Sequence, residues 1–190
     1  MRHKYQTRGI VLARSSSGEA NTFITLMTPS LGLVRARAQG LRRSGAKLAA
    51  ALSTFVESDV VLVRGKEGWR VTGAVPSENW FIRMQHMAAR ARASRISNLL
   101  LRLVAGEVQE EQVLFAIITG FFDALATLSE EAQDAAEVLA ALRILAALGL
   151  DTGDIPGEPA SYTTPLMETV KQHRAEYIVR INRGIAASEL

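Results

Sequence analysis

The chain has 190 residues, of which 48% are hydrophobic, and it contains no cysteine. A chain of this length can bury a substantial core, and the lack of cysteine excludes disulfides, thiolate catalysis and cysteine-ligated zinc. The three histidines, His3, His86 and His173, are far apart in the sequence. We therefore predict no metal site and no cofactor.

The net charge of +3 conceals a strong asymmetry along the chain. Residues 1–102 contain 17 Lys and Arg against 5 Asp and Glu, whereas residues 103–190 contain 5 against 14. A chain that is strongly basic at one end is typical of proteins in which that end binds a polyanion. Nucleic acid is the favoured class of ligand, and no small-molecule substrate is indicated.

The lengths of the apolar segments indicate where in the cell the protein is expected. The run at 9–13 is too short for a signal peptide, and the stretches 113–122 and 138–150 are shorter than a membrane span. These lengths predict no export and no membrane partner. We expect a cytoplasmic protein that is associated with the nucleoid.

The first 75 residues contain short runs rich in Val, Ile, Thr and Phe, separated by Gly, Ser and Pro. This pattern predicts β-strands. Five are expected, at Thr7–Ala13, Ala20–Thr28, Leu33–Gln39, Thr54–Arg64 and Trp69–Ala74. Five short antiparallel strands fit a small closed barrel, of which the OB-fold is the commonest five-stranded form.

After Pro76 the hydrophobic period becomes helical. Helices are predicted at Asn79–Val104, Glu110–Leu128 and Ala132–Leu148, and a last helix at Thr164 with Pro165 in its first turn. We therefore expect an α+β chain: a five-stranded OB-fold barrel over residues 1–78, followed by an all-α helical domain over residues 79–190 without a zinc-binding insert.

The third predicted strand alternates in character. Val34, Ala36 and Ala38 fall on one face, and Arg35, Arg37 and Gln39 on the other. The following loop adds Arg42, Arg43 and Lys47, and no acidic residue interrupts positions 34–47. Closely spaced phosphates of a single strand suit such a row of cations, with aromatic rings for the bases.

These patterns predict one set of nucleic-acid-binding residues and one secondary basic face. The first set is Arg14, Arg35, Arg37, Arg42, Arg43, Lys47 and Trp69. The alternatives are a solvated edge strand for the arginines and a core position for Trp69. The secondary face is Arg92, Arg95 and Arg102, which share one side of a predicted helix; they could equally serve solubility, extend the DNA surface or bind an acidic peptide.

Several motifs between residues 9 and 52 resemble the N-terminal domain of the RecO family. They are Gly9-Ile10-Val11-Leu12, Gly18-Glu19-Ala20, Thr28-Pro29 with Gly32, Ala38-x-Gly40, Lys47-Leu48 and Leu52. The resemblance covers about residues 5–75. It implies an OB-fold that binds and anneals single-stranded DNA, and that acts with the single-strand-binding protein and RecR to load the RecA recombinase.

The chain departs from the RecO pattern in two respects. Gln39 stands where family members usually have a basic residue, and the cysteines of the zinc-binding insert that many members carry are absent. The first departure removes one expected phosphate contact. The second makes partner docking in the helical half the least supported implication.

The sequence offers two alternative functional classes. Asp151-Thr152-Gly153 spells the aspartic-protease triplet, but it follows a helix-ending glycine instead of a strand, and the chain has neither a nucleophile elbow nor a P-loop. No catalytic residue is predicted, and we expect a non-enzymatic protein. The second alternative is a duplex-DNA-binding or protein-binding regulator whose helical half is the working surface and whose barrel is a scaffold.

Overall fold

The structure is a computed structural model that describes residues 3–17, 21–39, 47–104 and 110–188. The chain forms two compact units, residues 1–83 and 84–190. Within these described ranges, no helix is long and apolar enough to cross a membrane.

The first unit is a closed barrel of five strands. The strands are β1 (Lys4–Ser17), β2 (Asn21–Thr28), β3 (Gly32–Gln39), β4 (Val56–Gly65) and β5 (Gly68–Asn79), with helix α1 (Lys47–Ala51) between β3 and β4 and helix α2 (Trp80–Arg83) after β5. The strand order is β1-β2-β3-β5-β4, and only the β3–β5 pair is parallel. This is the OB-fold topology. The predicted α+β class with an N-terminal OB-fold is confirmed.

The barrel core is filled by alternate residues of the strands. In β3, Val34, Ala36 and Ala38 are buried, whereas Arg35 and Gln39 are exposed, as the alternation predicts. The inward residues of the other strands complete the core: Val11, Ile24, Leu26, Val60, Leu62 and Val71. Because the apolar side chains point inward, the polar side chains of the same strands lie on the outer face of the barrel.

Strand β5 extends five residues beyond its predicted end at Ala74. Pro76 suggested a break because proline cannot donate a ladder hydrogen bond. In the structure Pro76 is opposite Ser58 of β4, next to a register shift between Glu57 and Ser58. Proline is tolerated at such an irregularity, so the strand continues.

The helical segment predicted at Asn79–Val104, which could be kinked, is interrupted near its start. It is divided into α2 and α3 (Met87–Leu103), with residues 84–86 non-helical between them. Met84 is fully buried there, and its backbone carbonyl accepts a hydrogen bond from Nε of Arg90 at 2.8 Å. This side-chain bond replaces the helical partner that the carbonyl has lost.

Phe55 joins α1 to β4 in the left-handed backbone region, with a φ of 64°. Its N–H donates to the carbonyl of Val11 at 2.8 Å, and its carbonyl accepts from the N–H of Trp80 at 3.0 Å. The side chain is buried, with 4% exposed. These two hydrogen bonds and the burial offset the cost of a positive φ in a non-glycine residue.

The second unit contains five helices in its described part. They are α3, α4 (Glu111–Thr127), α5 (Glu130–Ala147), α6 (Thr164–Gln172) and α7 (Arg174–Ala187). Helix α5 contacts all four others and is buried along most of its length. It therefore forms the centre of the unit.

Arg143, on α5, is buried and fastens the segment between α5 and α6. Its guanidinium donates to the carbonyls of Pro156, Pro159 and Ser161 at 2.8–2.9 Å, and it lies 4.7 Å from the centroid of the Tyr162 ring. A buried cation is tolerated where several acceptors surround it. Burial also raises the pKa of the Tyr162 hydroxyl above its ordinary value.

Candidate nucleic-acid interface

The outer face of the barrel bears one row of side chains that crosses four strands. Ser15 of β1 pairs with Phe23 of β2, Phe23 with Arg37 of β3, and Arg37 with Arg70 of β5. Residues directly opposite each other on paired strands share a face of the sheet. We call these four residues the outer row. It combines an aromatic ring with two guanidinium groups.

Arg35 is exposed on β3 and adjoins the outer row. Its guanidinium carbon lies 4.7 Å from the centroid of the Phe23 ring. At this separation the cation is attracted by the π-system of the ring. Arg35 therefore lies over an aromatic ring of a kind on which a nucleobase can stack.

A concave surface of about 920 Å³ lies beside the outer row, at the β4–β5 hairpin. We call it the hairpin groove. Its charged lining residues in the described chain are four cations and one carboxylate: Arg37, Arg64, Lys66, Arg70 and Glu67. The carboxylate of Glu67 lies 3.4 Å from the guanidinium of Arg37. The groove is therefore a predominantly cationic extension of the outer row.

Trp69 also lines the hairpin groove, but its ring is half-buried and packs against the barrel core. The edge of Tyr5 meets it with centroids 5.1 Å apart, and the guanidinium carbon of Arg64 lies 5.5 Å from its centroid. Trp69 is in register with the buried Ala36 and so is not on the outer face. Its role in base stacking stays a prediction.

The barrel matches a known protein family. Residues 1–78 match the family model described as Recombination protein O N terminal. The barrel is therefore similar to the N-terminal domain of RecO proteins. The suspected resemblance to RecO is thereby confirmed.

Curated relatives named DNA repair protein RecO are similar to the chain. One from Dehalococcoides mccartyi strain 195 is 39% identical over 72 residues, which are 38% of this chain and 28% of the relative. One from Roseiflexus is 31% identical over 121 residues, which are 64% of this chain and 42% of the relative. A third, from Acaryochloris marina, is 31% identical over 112 residues, which are 58% of this chain and 38% of the relative.

The matched stretch spans less than half the length of each of these relatives. The Roseiflexus and Acaryochloris alignments are nevertheless longer than residues 1–78. The similarity to RecO proteins therefore continues from the barrel into the helical unit.

Arg14 is not part of the outer row of the barrel. It pairs with Ile24, which is fully buried, so it lies on the opposite side of the sheet from Arg35 and Arg37. A bulge causes this, since the register shifts between Val11 and Ala13. A shift of one residue moves every later side chain to the other face.

The loop cations of the predicted set are only partly placed. Arg42 and Arg43 lie outside the described residues. Lys47 begins helix α1. Their participation in binding stays a prediction.

Two of the three arginines of the secondary basic face are engaged within the helical unit. Arg92 and Arg95 of α3 donate to Glu137 of α5 at 2.7 and 2.8 Å. Asp134 accepts from Arg174 at 2.9 Å, and this hydrogen bond holds the pKa of the Asp134 carboxyl below its usual value. These ion pairs tie α3 and α7 to α5.

Arg102, the third arginine of the secondary face, is exposed at the end of α3. It has no ion pair among the residues that the structure describes. Over the same ranges, no group of three or more His, Asp or Glu is arranged to hold a metal ion. On the barrel, by contrast, the hairpin groove brings four cationic side chains together.

The sequence pattern favoured Trp69 over Phe23 as the stacking ring and did not mark Arg64, Lys66 or Arg70. The signal for Phe23 was present in the turn after β2, where Thr28 pairs with Gly32. That closing pair fixes the whole register and puts Phe23 opposite Arg37. For Arg70 no comparable local signal exists, because β3 and β5 are distant in the sequence.

Proposed function

We propose that this chain binds single-stranded DNA on the outer face of its RecO-type barrel and mediates recombinational DNA repair without enzymatic activity. In this role it anneals complementary strands and helps to load the RecA recombinase together with RecR and the single-strand-binding protein. The observation that best supports DNA binding is the outer row, in which Phe23, Arg37 and Arg70 share one face. The relatives named DNA repair protein RecO support the biological role.

Phosphate binding is assigned to the arginines of β3 and β5. Arg35 and Arg37 are two residues apart on one strand, which spaces them by about 6.6 Å. Arg70 lies opposite Arg37 on the neighbouring strand. Each guanidinium that neutralises a phosphate releases counterions from the DNA, and this release favours binding at low salt.

Base binding is assigned to Phe23. Stacking of a base on an aromatic side chain contributes about 1–3 kcal/mol and depends little on the sequence. A base that enters this position competes with Arg35 for the ring face. The displaced guanidinium is then free to bind the adjacent phosphate.

The remaining predicted residues extend this site. We propose that Arg42, Arg43 and Lys47, which follow β3 in the chain, continue the phosphate path, and that Arg14 and Trp69 contribute at its margins. In this proposal residues 1–78 are the DNA-binding domain and residues 79–190 are the helical domain that supports it.

The decisive experiment is a salt titration of binding to a fluorescent oligothymidine strand. Replacing Arg35 and Arg37 together by Ala should weaken binding and flatten the logarithmic salt slope by about 1.4, because each phosphate contact on a single strand contributes about 0.7. Both substitutions are on the outer face and should leave the melting temperature nearly unchanged.

The matched control replaces Arg102 and Arg183, two exposed arginines of the helical unit, by Ala. It removes the same charge from elsewhere in the chain. If the control pair lowers the affinity and the salt slope equally, the strand is attracted to the charge of the whole protein and not to a defined site. If duplex DNA competes much more strongly than single strands, the alternative is favoured: a duplex-DNA-binding regulator that binds through its helical half.

A further inference from the structure

The barrel closes where β3 and β5 meet, and this β3–β5 seam contains a pair of like charges. Its register comprises two pairs, Ala36 with Trp69 and Arg37 with Arg70. Arg37 and Arg70 are therefore directly opposite each other on the outer face. Like charges in this position repel each other, so an anion beside them stabilises the seam.

Glu67 supplies that anion in the free protein. It lies in the short turn between Gly65 and Gly68, which pair with each other at the end of the β4–β5 hairpin. Its carboxylate reaches across to Arg37, with 3.4 Å between Oε2 and Nη2. It is also the one acidic side chain among the described residues that line the hairpin groove.

The exposure of the two partners shows which of them can move. The Glu67 side chain is 82% exposed, whereas the Arg37 side chain is 31% exposed. An exposed carboxylate held by one ion pair is only weakly bound, since such pairs contribute about 0.2–1 kcal/mol. Of the two side chains, Glu67 is therefore the one that can leave the ion pair more readily.

We propose that Arg37 and Arg70 form a two-arginine phosphate site, and that Glu67 is an internal competitor which occupies Arg37 until a DNA phosphate displaces it. This inference rests on the proposed single-strand binding and adds to it a residue that limits affinity. A phosphodiester has two free oxygens, so it can accept hydrogen bonds from both guanidinium groups at once. The carboxylate of Glu67 is paired with Arg37 alone in the described structure.

The first test is Glu67→Gln, which removes the charge and keeps the shape. Affinity for oligothymidine should rise about two- to fivefold, the equivalent of one exposed ion pair. The control is Asp59→Asn, an exposed carboxylate of the same barrel that does not line the hairpin groove. In an Arg37→Ala background, Glu67→Gln should have no effect beyond that of the control.

The second test does not depend on DNA. Inorganic pyrophosphate should raise the melting temperature of Glu67→Gln more than that of the unaltered protein, and Arg70→Ala should abolish the difference. Equal effects of Glu67→Gln and Asp59→Asn, or a Glu67→Gln gain that persists without Arg37, would overturn the inference. Failure to bind oligothymidine would instead refute the proposed function, while the pyrophosphate measurement would still decide whether the two-arginine site exists.

Discussion

Arg35 covers the ring of Phe23 on the outer face of the barrel, with 4.7 Å between the guanidinium carbon and the ring centroid. The Phe23 ring therefore lies beside the arginines of β3 and not within the barrel core. Phe23→Ala should therefore lower single-strand affinity by about 1–3 kcal/mol through lost base stacking. The measurement is the dissociation constant for an oligothymidine strand at one fixed salt concentration.

Trp69→Ala provides the comparison for that prediction. Because the Trp69 ring packs against the core, its removal should lower the urea midpoint, whereas its effect on affinity should be smaller than that of Phe23→Ala. The reverse order of affinities would identify Trp69 as the stacking platform. Phe23→Leu should retain most of the packing and still lose affinity.

At Phe55 we expect a glycine variant to be more stable than an alanine variant, which is the reverse of the usual order. At an ordinary position alanine is more stabilising than glycine, but at a φ of 64° glycine has no steric penalty. Phe55→Ala and Phe55→Gly both lose the buried ring, at a cost of about 3–5 kcal/mol. We expect Phe55→Gly to be the more stable of the two by about 1 kcal/mol, as measured by urea unfolding. An advantage for Phe55→Ala would mean that the left-handed backbone is not retained.

Arg143→Met tests the fastening of the segment between α5 and α6. Methionine approximates the length of the arginine stem but leaves the carbonyls of Pro156, Pro159 and Ser161 without their donor. A fully buried acceptor that loses its donor costs about 1–3 kcal/mol, and these three half-buried carbonyls together should cost a comparable amount. We expect a loss of at least about 2 kcal/mol in unfolding free energy and faster proteolysis within residues 151–161. Unchanged proteolysis would show that other contacts hold this segment.

The ion pair between Asp151 and Arg180 should make the stability of the protein depend on pH. The hydrogen bond from Arg180, above all, holds the pKa of the Asp151 carboxyl below its ordinary value of 3.8. A depressed pKa in the folded state contributes stability above the unfolded pKa, and this contribution is lost as the pH falls through the folded value. The unfolding free energy of the protein should therefore exceed that of Asp151→Asn at neutral pH, and the difference should shrink below about pH 4. Urea titrations at several pH values measure it, and a difference that is constant with pH would contradict the assignment.

Local pattern was sufficient to predict most of the barrel. The alternation in β3 correctly separated Val34 and Ala36 from Arg35, because a strand with one apolar face has only one way to bury it. The number of strands and the OB-fold followed from the spacing of turn residues. These features depend on residues that are close together in the sequence.

Features that depend on distant residues were not predictable in this way. The partner of Arg92 and Arg95 is Glu137, more than 40 residues away, so their helix looked like a free basic face. Arg14 illustrates a different limit. Without the bulge between Val11 and Ala13 it would be opposite Phe23, and nothing in the local composition marks the inserted residue.

The short β3–β5 seam also has a consequence for the order in which the barrel folds. The β1–β2, β2–β3 and β4–β5 ladders join neighbouring strands and close small loops, whereas the seam joins residues 36 and 69 through a parallel ladder of two pairs. Non-local contacts pair slowly because chain entropy is lost before the contact is gained. We expect the three-strand meander and the hairpin to form first, and the two non-local ladders that close the barrel, β1–β4 and the seam, to form afterwards. Substitutions at the seam should then mainly accelerate unfolding, while those in the meander slow folding.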